Sequence, residues 1–427
     1  MPPLKVLIVG GGIAGPSLAY WLSRINAEVT LIERFPHIRA TGQQVDLRAQ
    51  GVPMMKRMGI EAAVRSAIVH EPGMQLINQN GQTKAYFPAT YTNSEKQSLT
   101  SEFEIMRGHL VGILYGLTKG KENVRHVFDT AIEDFEQDDE SDPNGKVHVR
   151  FSNGQREDFD LVVGADGSGS QTRKIMLGPD APDPRYSLGG HIGFFTIPGT
   201  PAESNRWTLC HLPGGRIIGT RKDRPDLLRI YMIIYGKQPT LESAYQSGSL
   251  KELKKAWVDL YQGGGWECDR FMHELQHAPE ADDLYATRMD EIHLPKGSWS
   301  KGRVVLLGDS AYCQTVGGLG ATLSLVGAYV LAGEIASLYN KDGWSPTAAV
   351  VQGAKNYEER LCPIATAAQG GSKRGLSLLL PRSNFGIKVL QTIAGLAAAF
   401  KGDQLSSVST KTSKWSLPTY TELECND

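Results

Sequence analysis

Lys5-Val-Leu-Ile-Val-Gly10-Gly-Gly12-Ile-Ala-Gly15-Pro-Ser-Leu-Ala-Tyr-Trp-Leu22 decides the fold. Val6 to Val9 is apolar without alternation, which predicts a parallel strand covered on both faces. Gly10, Gly12 and Gly15 stand at the G-x-G-x-x-G spacing, and a helix is expected after them. In such a turn the first glycine bends the chain and the second lets backbone approach a pyrophosphate. The third lets the helix lie close to the strand. The helix N-terminus then aims unpaired N–H groups and a positive dipole end at the phosphates. A second short strand, Glu28-Val-Thr-Leu-Ile32, runs into Glu33, where a carboxylate can accept from ribose hydroxyls. Together these features predict dinucleotide binding. A glycine turn without a ligand would leave the spacing and the acid unexplained. The turn alone leaves NAD and FAD both open.

With 427 residues the chain can hold two domains, or one core with an inserted lobe. Its 45 basic and 46 acidic residues nearly balance, so no electrostatic footprint argues for nucleic acid. The five cysteines are scattered and form no C-x-x-C, which predicts a reducing, cytoplasmic setting. A disulfide framework, a zinc ribbon or other metal site, and the dithiol of disulfide reductases are not expected. The run Val6–Val9 is too short for a signal peptide and goes straight into the glycine turn. No transmembrane span is expected. The nearest apolar run, Phe385 to Phe400, is interrupted by Lys388 and Gln391. It reads as a buried or domain-bridging helix, with peripheral membrane contact as the alternative.

Further along, Val52 to Ile68 has helix-like apolar spacing, and residues 74–100 read as a hairpin excursion. Glu104-Ile-Met-Arg107 is a strand end entering a helix, and 124–164 carries β signals with a turn at Asn153-Gly154. The acidic run Glu133–Asp142 reads as a solvated hairpin tip. Phe159-Asp-Leu-Val-Val-Gly-Ala-Asp166-Gly167 is a second buried strand, and Arg303-Val-Val-Leu-Leu-Gly308-Asp309 a third. A glycine-rich loop and a helix from about Thr322 to Leu338 follow it. Between them, 183–290 is rich in β-formers broken by Pro/Gly turns, which predicts an antiparallel or mixed sheet. One apolar helix and a polar tail close the chain, and no fixed-period repeat is present. A second dinucleotide fingerprint is missing. Gly263-Gly-Gly265 lacks a preceding strand, and Gly370-Gly371 lacks both strand and spacing. Three buried strands thus end in a glycine or acidic turn. Because ligands sit outside the carboxyl ends of such strands, three ends suit one elongated ligand, whereas an NAD dehydrogenase normally needs only the first.

These residues resemble the single-component FAD-dependent aromatic hydroxylases built like para-hydroxybenzoate hydroxylase. Within that family the likeness is to the tetracycline-inactivating monooxygenases and fungal relatives in secondary metabolism. It rests on the glycine turn with Glu33, on Glu104-Ile-Met-Arg107, and on Asp166-Gly-Ser-Gly-Ser170-Gln-Thr-Arg173. The fourth support is Gly308-Asp309 followed by Gly318-Leu-Gly320-Ala-Thr-Leu. The resemblance implies an α/β fold: a Rossmann-like, glutathione-reductase-type FAD-binding domain with an inserted mixed or antiparallel substrate sheet and a C-terminal helix. The FAD domain would comprise 1–73, 98–182 and 291–372, and the substrate domain 74–97 and 183–290. Residues 373–427 would be a bridging helix and tail.

The resemblance also assigns roles. Gly10, Gly12, Gly15 and Glu33 would hold the adenosine and pyrophosphate half of FAD. Arg107 would reach the diphosphate and ribityl region, and Asp309 would accept from the ribityl chain. Gly320, Ala321 and Thr322 would approach the isoalloxazine, and Asp46 and Arg48 would line the flavin near the substrate lobe. Asp166 would touch FAD and, transiently, NAD(P)H, although Asp166 and Ser170 could equally cap the following helix. The implied reaction reduces FAD with NAD(P)H and adds O2 to form a C4a-hydroperoxyflavin. One oxygen then passes to an aromatic or polycyclic small molecule. The site must exclude water while that happens. Alternatives are an FAD oxidase or desaturase, or a non-redox cyclase or binding protein on the same fold. His191, His211, Tyr231 and Tyr235 are candidate proton-handling groups that read first as packing, so no catalytic residue is assigned. One departure stands out: Tyr312-Cys-Gln-Thr-Val316-Gly-Gly-Leu-Gly320 lacks the proline that relatives carry before Gly-x-Gly and is one residue shorter. A looser loop is expected there.

Overall fold

A computed structural model describes residues 2–38, 42–89, 102–339, 341–369, 373–400 and 415–424. The opening stretch forms β1 (Lys5–Val9) and α1 (Ala14–Ser23). β1 is the middle of a six-stranded sheet with β2 (Glu28–Ile32), β7 (Val124–Val127), β11 (Leu161–Gly164), β17 (Ser300–Lys301) and β18 (Val304–Leu306). The order is β17-β18-β11-β1-β2-β7. Every pairing is parallel except β17 with β18. The side chains of Val6, Leu7 and Ile8 are fully buried, as an unbroken apolar run in a doubly covered sheet requires. The three strand ends singled out in the sequence, on β18, β11 and β1, are immediate neighbours.

Close approach explains two of the glycines. Gly10 has φ +116°, and a Cβ there would sit 2.5 Å from the Ala165 carbonyl oxygen at the end of β11. A Cβ on Gly15 would lie 2.0 Å from the Gly10 oxygen, so α1 is seated against the turn as only glycine permits.

A three-stranded sheet of β8 (Ile132–Gln137), β9 (Val147–Phe151) and β10 (Arg156–Phe159) flanks the first. The acidic run is more than a solvated tip. Its first half is β8, and its carbonyls clamp the fully buried Arg303, which donates to the oxygens of Asp138 (2.9 Å), Asp139 (2.9 Å) and Asp142 (3.1 Å). The single helix expected over 52–68 is split into α2 (Gly51–Arg57) and α3 (Glu61–Arg65) by Gly59, at φ +71°. β3 (Gln44–Asp46) and β6 (Glu104–Met106) pair antiparallel and lead into α4 (Arg107–Gly116), while α5 (Gln171–Leu177) follows β11.

The second large sheet is seven-stranded. It contains β4 (Gly73–Ile77), β5 (Thr83–Pro88), β12 (Arg185–Pro198), β13 (Trp207–Leu212), β14 (Arg216–Arg224), β15 (Leu227–Tyr235) and β16 (Tyr285–Ile292), ordered β16-β12-β15-β14-β13-β4-β5. It is mixed, because β13 and β4 run parallel while the other pairs are antiparallel. The hairpin 73–88 is therefore part of this sheet, and residues 90–100 of the expected excursion lie outside the described residues. Ile230, Met232 and Ile234 of β15 face a core built with α6 (Pro239–Ser247), α7 (Leu250–Tyr261) and α8 (Cys268–His277). The mixed sheet expected over 183–290 is present, and these helices are additions to it that the sequence reading did not include. Their apolar residues Trp257, Tyr261, Phe271 and Leu275 are all buried.

α9 (Asp309–Tyr312) follows β18, and α10 (Gly320–Tyr339) follows the glycine loop. The expectation about apolar runs is corrected here. α10 has the length and hydropathy to cross a membrane, yet 89% of that window is buried inside the protein. Gly327 and Gly333 interrupt its bulky apolar side chains. Both are packing positions, since Cβ atoms there would meet the Tyr312 hydroxyl at 2.2 Å and the Tyr420 ring at 2.1 Å. α11 (Pro346–Ala368) packs beside α10. α12 (Lys373–Leu379) and α13 (Asn384–Ala399) follow, so the closing segment holds two helices. α13 rests on β5 and β13. The tail is also more than polar: Tyr420 and Leu423 are buried, and the Tyr420 hydroxyl donates to Glu334 Oε1 at 2.6 Å.

Candidate functional site

At the β1 end, Glu33 is fixed by backbone. Gly11 N–H donates to its Oε2 at 2.8 Å and Phe35 N–H to its Oε1 at 3.2 Å, leaving each oxygen a further lone pair. α1 starts without a side-chain cap, so its first N–H groups remain available. Arg107 opens α4, where its N–H donates to the Gln43 carbonyl (3.0 Å), and its guanidinium reaches back over the glycine turn. A Cβ on Gly12 would stand 3.4 Å from its Nη2. Strand and helix thus bring Gly10, Gly12, Gly15, Glu33 and Arg107 together around one turn.

Asp166 is placed differently. Its Cα lies beside Gly10, but its carboxylate turns to α5. Oδ1 accepts from the Ser170 hydroxyl (2.5 Å), and Oδ2 from the amides of Gln171 (2.8 Å) and Thr172 (3.0 Å). Ser170 caps the same helix by accepting from Arg173 N–H. The capping reading left open by the sequence therefore describes the geometry of this side chain.

Asp309 opens α9 just past β18, where its side chain is accessible to solvent although protein surrounds it closely. Burial pushes its carboxyl above the usual range, opposed by the charge of Arg107. Gly320 stands beside it, since a Cβ there would be 4.0 Å from Asp309 Oδ1. The Thr322 hydroxyl accepts from Arg48 N–H and donates to the Arg48 carbonyl, both at 3.1 Å. Arg48 donates to Asp46 Oδ2 (2.9 Å), and a Cβ on Gly318 would be 3.6 Å from that oxygen. Asp46, Arg48, Asp309, Gly320, buried Ala321 and Thr322 thus share the N-terminal end of α10, where unpaired amides and the dipole favour an electron-rich ligand.

The expected looseness of the proline-less loop is corrected. Ile292 N–H donates to the Cys313 carbonyl, and Thr315 Oγ1 accepts from Asp290 N–H, so the loop is stitched to β16. Val316 packs on the apolar cluster of Ile192, Ile217 and Met289.

Between the two sheets lies a cleft lined by Gln43, Phe194, Arg229, Tyr231, Asp283 and Tyr285. Phe194 meets the Tyr231 ring edge-on at 4.9 Å and stacks with Tyr285 at 6.3 Å. His191 is held by Glu242 (3.1 Å) and His211 by the Leu379 carbonyl (3.1 Å), so both histidines have packing partners. A depression of about 340 Å³ between α1, α2 and Leu423 is at the opposite end of α1 from the glycine turn.

The sequence reading missed a buried ionic cluster beside this cleft. Arg221 of β14 donates from Nε to Glu71 Oε1 (2.7 Å) and from Nη2 to Glu71 Oε2 (2.6 Å), and it also pairs with Glu104 of β6. Its guanidinium lies 4.4 Å from the Trp207 ring centre. Desolvation raises Glu104 to about 8, with Asp46 and Glu71 adding to the rise and Arg221 opposing it. The only sequence signal was an arginine in the otherwise apolar Ile217-Ile-Gly-Thr-Arg221. Between about pH 5 and pH 8 the unfolded chain loses this proton while the folded chain keeps it. Stability from Glu104 is therefore present at low pH and lost as pH rises, by at most about 1.4 kcal/mol per pH unit. Glu104→Gln has no such proton, so its melting temperature should fall less across that range than the parent's. Parallel melting profiles would contradict this account.

The FAD binding domain family matches residues 3–185. The flavin-dependent monooxygenase eupH of Phoma sp is 46% identical, covering 95% of this chain and 94% of its own. The FAD-dependent monooxygenase asL4 of Sarocladium schorii is 36% identical over 99% of both chains. Among solved structures, the tetracycline destructase Tet(55) aligns with TM-score 0.76 and 26% identity, covering 98% of this chain and all of its own. Klebsiella pneumoniae HpxO complexed with FAD and uric acid aligns at TM-score 0.70 and 16% identity over 97% of this chain and 98% of its own, a likeness of fold.

Proposed function

The chain belongs to the FAD-dependent monooxygenases, and from that premise we propose that it uses NAD(P)H and O2 to oxygenate an aromatic or polycyclic small molecule of secondary metabolism. One observation carries the proposal: β1, β11 and β18 are adjacent parallel strands whose carboxyl ends share one sheet edge, with α1 following β1 and α10 following the loop after β18. Glu33, Arg107 and Asp309 stand along that edge. Those donors and acceptors suit FAD: a carboxylate with free lone pairs for ribose, a guanidinium for phosphate, and an accessible deep carboxyl for a hydroxyl chain. When bound, FAD supplies the redox chemistry and the activation of oxygen.

The protein's own residues do the rest. Gly12 lets backbone close on the phosphates in a turn that Gly10 and Gly15 shape, Glu33 fixes the adenosine end, and Arg107 neutralises the diphosphate. The Thr322–Arg48–Asp46 chain holds the N-terminal end of α10 against β3 where the flavin ring would lie. Asp166 acts through α5, which its carboxylate caps at the end of β11. Phe194, Tyr231 and Tyr285 form an aromatic wall for a flat substrate, and the buried Arg221, paired with Glu71 and Glu104, lies against the Tyr231 ring. The substrate domain comprises the seven-stranded sheet with its three helices, and the setting is the cytoplasm.

The purified protein should be yellow, and adding a phenolic or polyketide substrate should raise NADPH oxidation about tenfold or more above the basal rate, with matching O2 uptake and oxygenated product. Oxidation of NADPH that no substrate in such a panel stimulates would overturn the reading.

A further inference from the structure

The last helix carries an unusual surface. Phe385, Val389, Ile393, Leu396 and Phe400 recur at three- and four-residue spacing and all point outward, with Phe385 77% and Phe400 82% exposed. Leu378 and Leu379, at the end of α12, extend the patch. The inner face of α13 is properly seated: Ile387 is buried, and the Gln391 amide donates to the Ile77 carbonyl at 3.1 Å. A Cβ on Gly395 would lie 2.8 Å from the Lys84 oxygen, so the helix is held close to β5. The apolar stripe is therefore an outer surface of a docked helix. A contiguous patch of this kind marks an interaction site.

Charge selects the occupant. Residues 373–400 include Lys373, Arg374, Arg382 and Lys388 and no acid. Of the strands beneath α13, β5 adds Lys84, and neither β5 nor β13 carries an acid. A second copy of the chain meeting this face across a two-fold axis would oppose identical positive groups. Residues 401–414 offer only Leu405 and Val408 as large apolar side chains, among three lysines, and so supply little to cover the stripe. Acyl chains can take the apolar face while anionic headgroups take the lysines and arginines.

We propose that the outer face of α13, with the end of α12, docks the enzyme on an anionic phospholipid surface. The helix lies in the interface, its aromatic ends Phe385 and Phe400 inserted at headgroup depth. No bilayer is crossed. The attachment is peripheral and reversible.

The test is co-sedimentation of the full-length, FAD-loaded protein with vesicles of phosphatidylcholine alone or with about 30% phosphatidylserine. Binding to the anionic vesicles should be about tenfold tighter and should weaken in high salt. The triple variant Phe385→Ser, Ile393→Ser, Phe400→Ser should lose about tenfold or more in affinity, and Lys388→Glu several-fold. Unchanged flavin absorbance and melting temperature would show that each variant is folded. If the triple variant does not fold, Lys388→Glu alone carries the comparison. Absence of binding to anionic vesicles, or equal binding by parent and variants, would overturn the proposal. So would a dimer that the serine substitutions dissolve in a protein that ignores vesicles, which would make the face a contact between copies.

Discussion

Arg221→Met is expected to lower the free energy of unfolding by about 3–5 kcal/mol near neutral pH. The side chain is 6% exposed, between Glu71 at 1% and Glu104 at 4%. Its guanidinium is the cation that both carboxylates contact. Without it, Glu71 and Glu104 both lose the guanidinium they contact while staying buried, and the fold must keep them protonated or admit water. Methionine fills much of the volume and keeps the contact with Trp207, so the loss reports on charge more than on a cavity. Two controls separate these effects. Lowering the pH to about 4 removes the cost of holding protons on these acids that the unfolded chain would release, and should restore part of the deficit. Changing Glu71 and Glu104 to uncharged residues of similar size in the Arg221→Met background should also recover part, because an apolar replacement of a whole buried ionic group is often close to neutral. Urea unfolding followed by circular dichroism gives the values. A single variant within about 1 kcal/mol of the parent would show the cluster to be hydrated and the account mistaken.

The contrast between this cluster and the glycine turn shows what a linear reading can reach. The turn was legible because strand, glycines, helix and acid lie within one stretch, and local sterics such as the Gly15 contact with the Gly10 oxygen constrain residue choice directly. The adjacency of β18, β11 and β1 was also legible, since parallel strands that end in turns must share a sheet edge. Glu71, Glu104 and Arg221 come from three segments, and each alone resembles an ordinary surface charge. Only the sheet brings them together. α7 and α8 were missed because their apolar residues are diluted by charged ones that face solvent, whereas the neighbouring strands announce themselves in solid apolar runs. The proline-less loop misled for a related reason. A proline's stiffness can be read in sequence, but a backbone bond from Ile292 to Cys313 cannot.

Arg107→Ala should weaken FAD binding by roughly 10- to 150-fold, the equivalent of losing charge-assisted hydrogen bonds of about 1.5–3 kcal/mol. Among the described residues Arg107 makes no ion pair. Its guanidinium stands over the Gly12 turn, so its positive charge is available to a ligand there. Stability of the FAD-free protein should change little, because the side chain is only partly buried and its helix position tolerates alanine. Asp309 supplies an internal check. Arg107 is the charge that holds its carboxyl down, so the variant leaves that group still more easily protonated. FAD binding by the variant should therefore depend on pH more strongly than binding by the parent. Arg107→Lys keeps the charge but loses the planar fork, and it should fall between parent and alanine. Quenching of flavin fluorescence measures all three. If turnover at saturating FAD is also largely retained in the alanine variant, the residue holds the cofactor and takes no part in the reaction. Equal affinity in parent and alanine variant would mean that the diphosphate is held by α1 and the glycine backbone alone, and Arg107 would then have to be read as a bridge between α4 and the residues at Gly42.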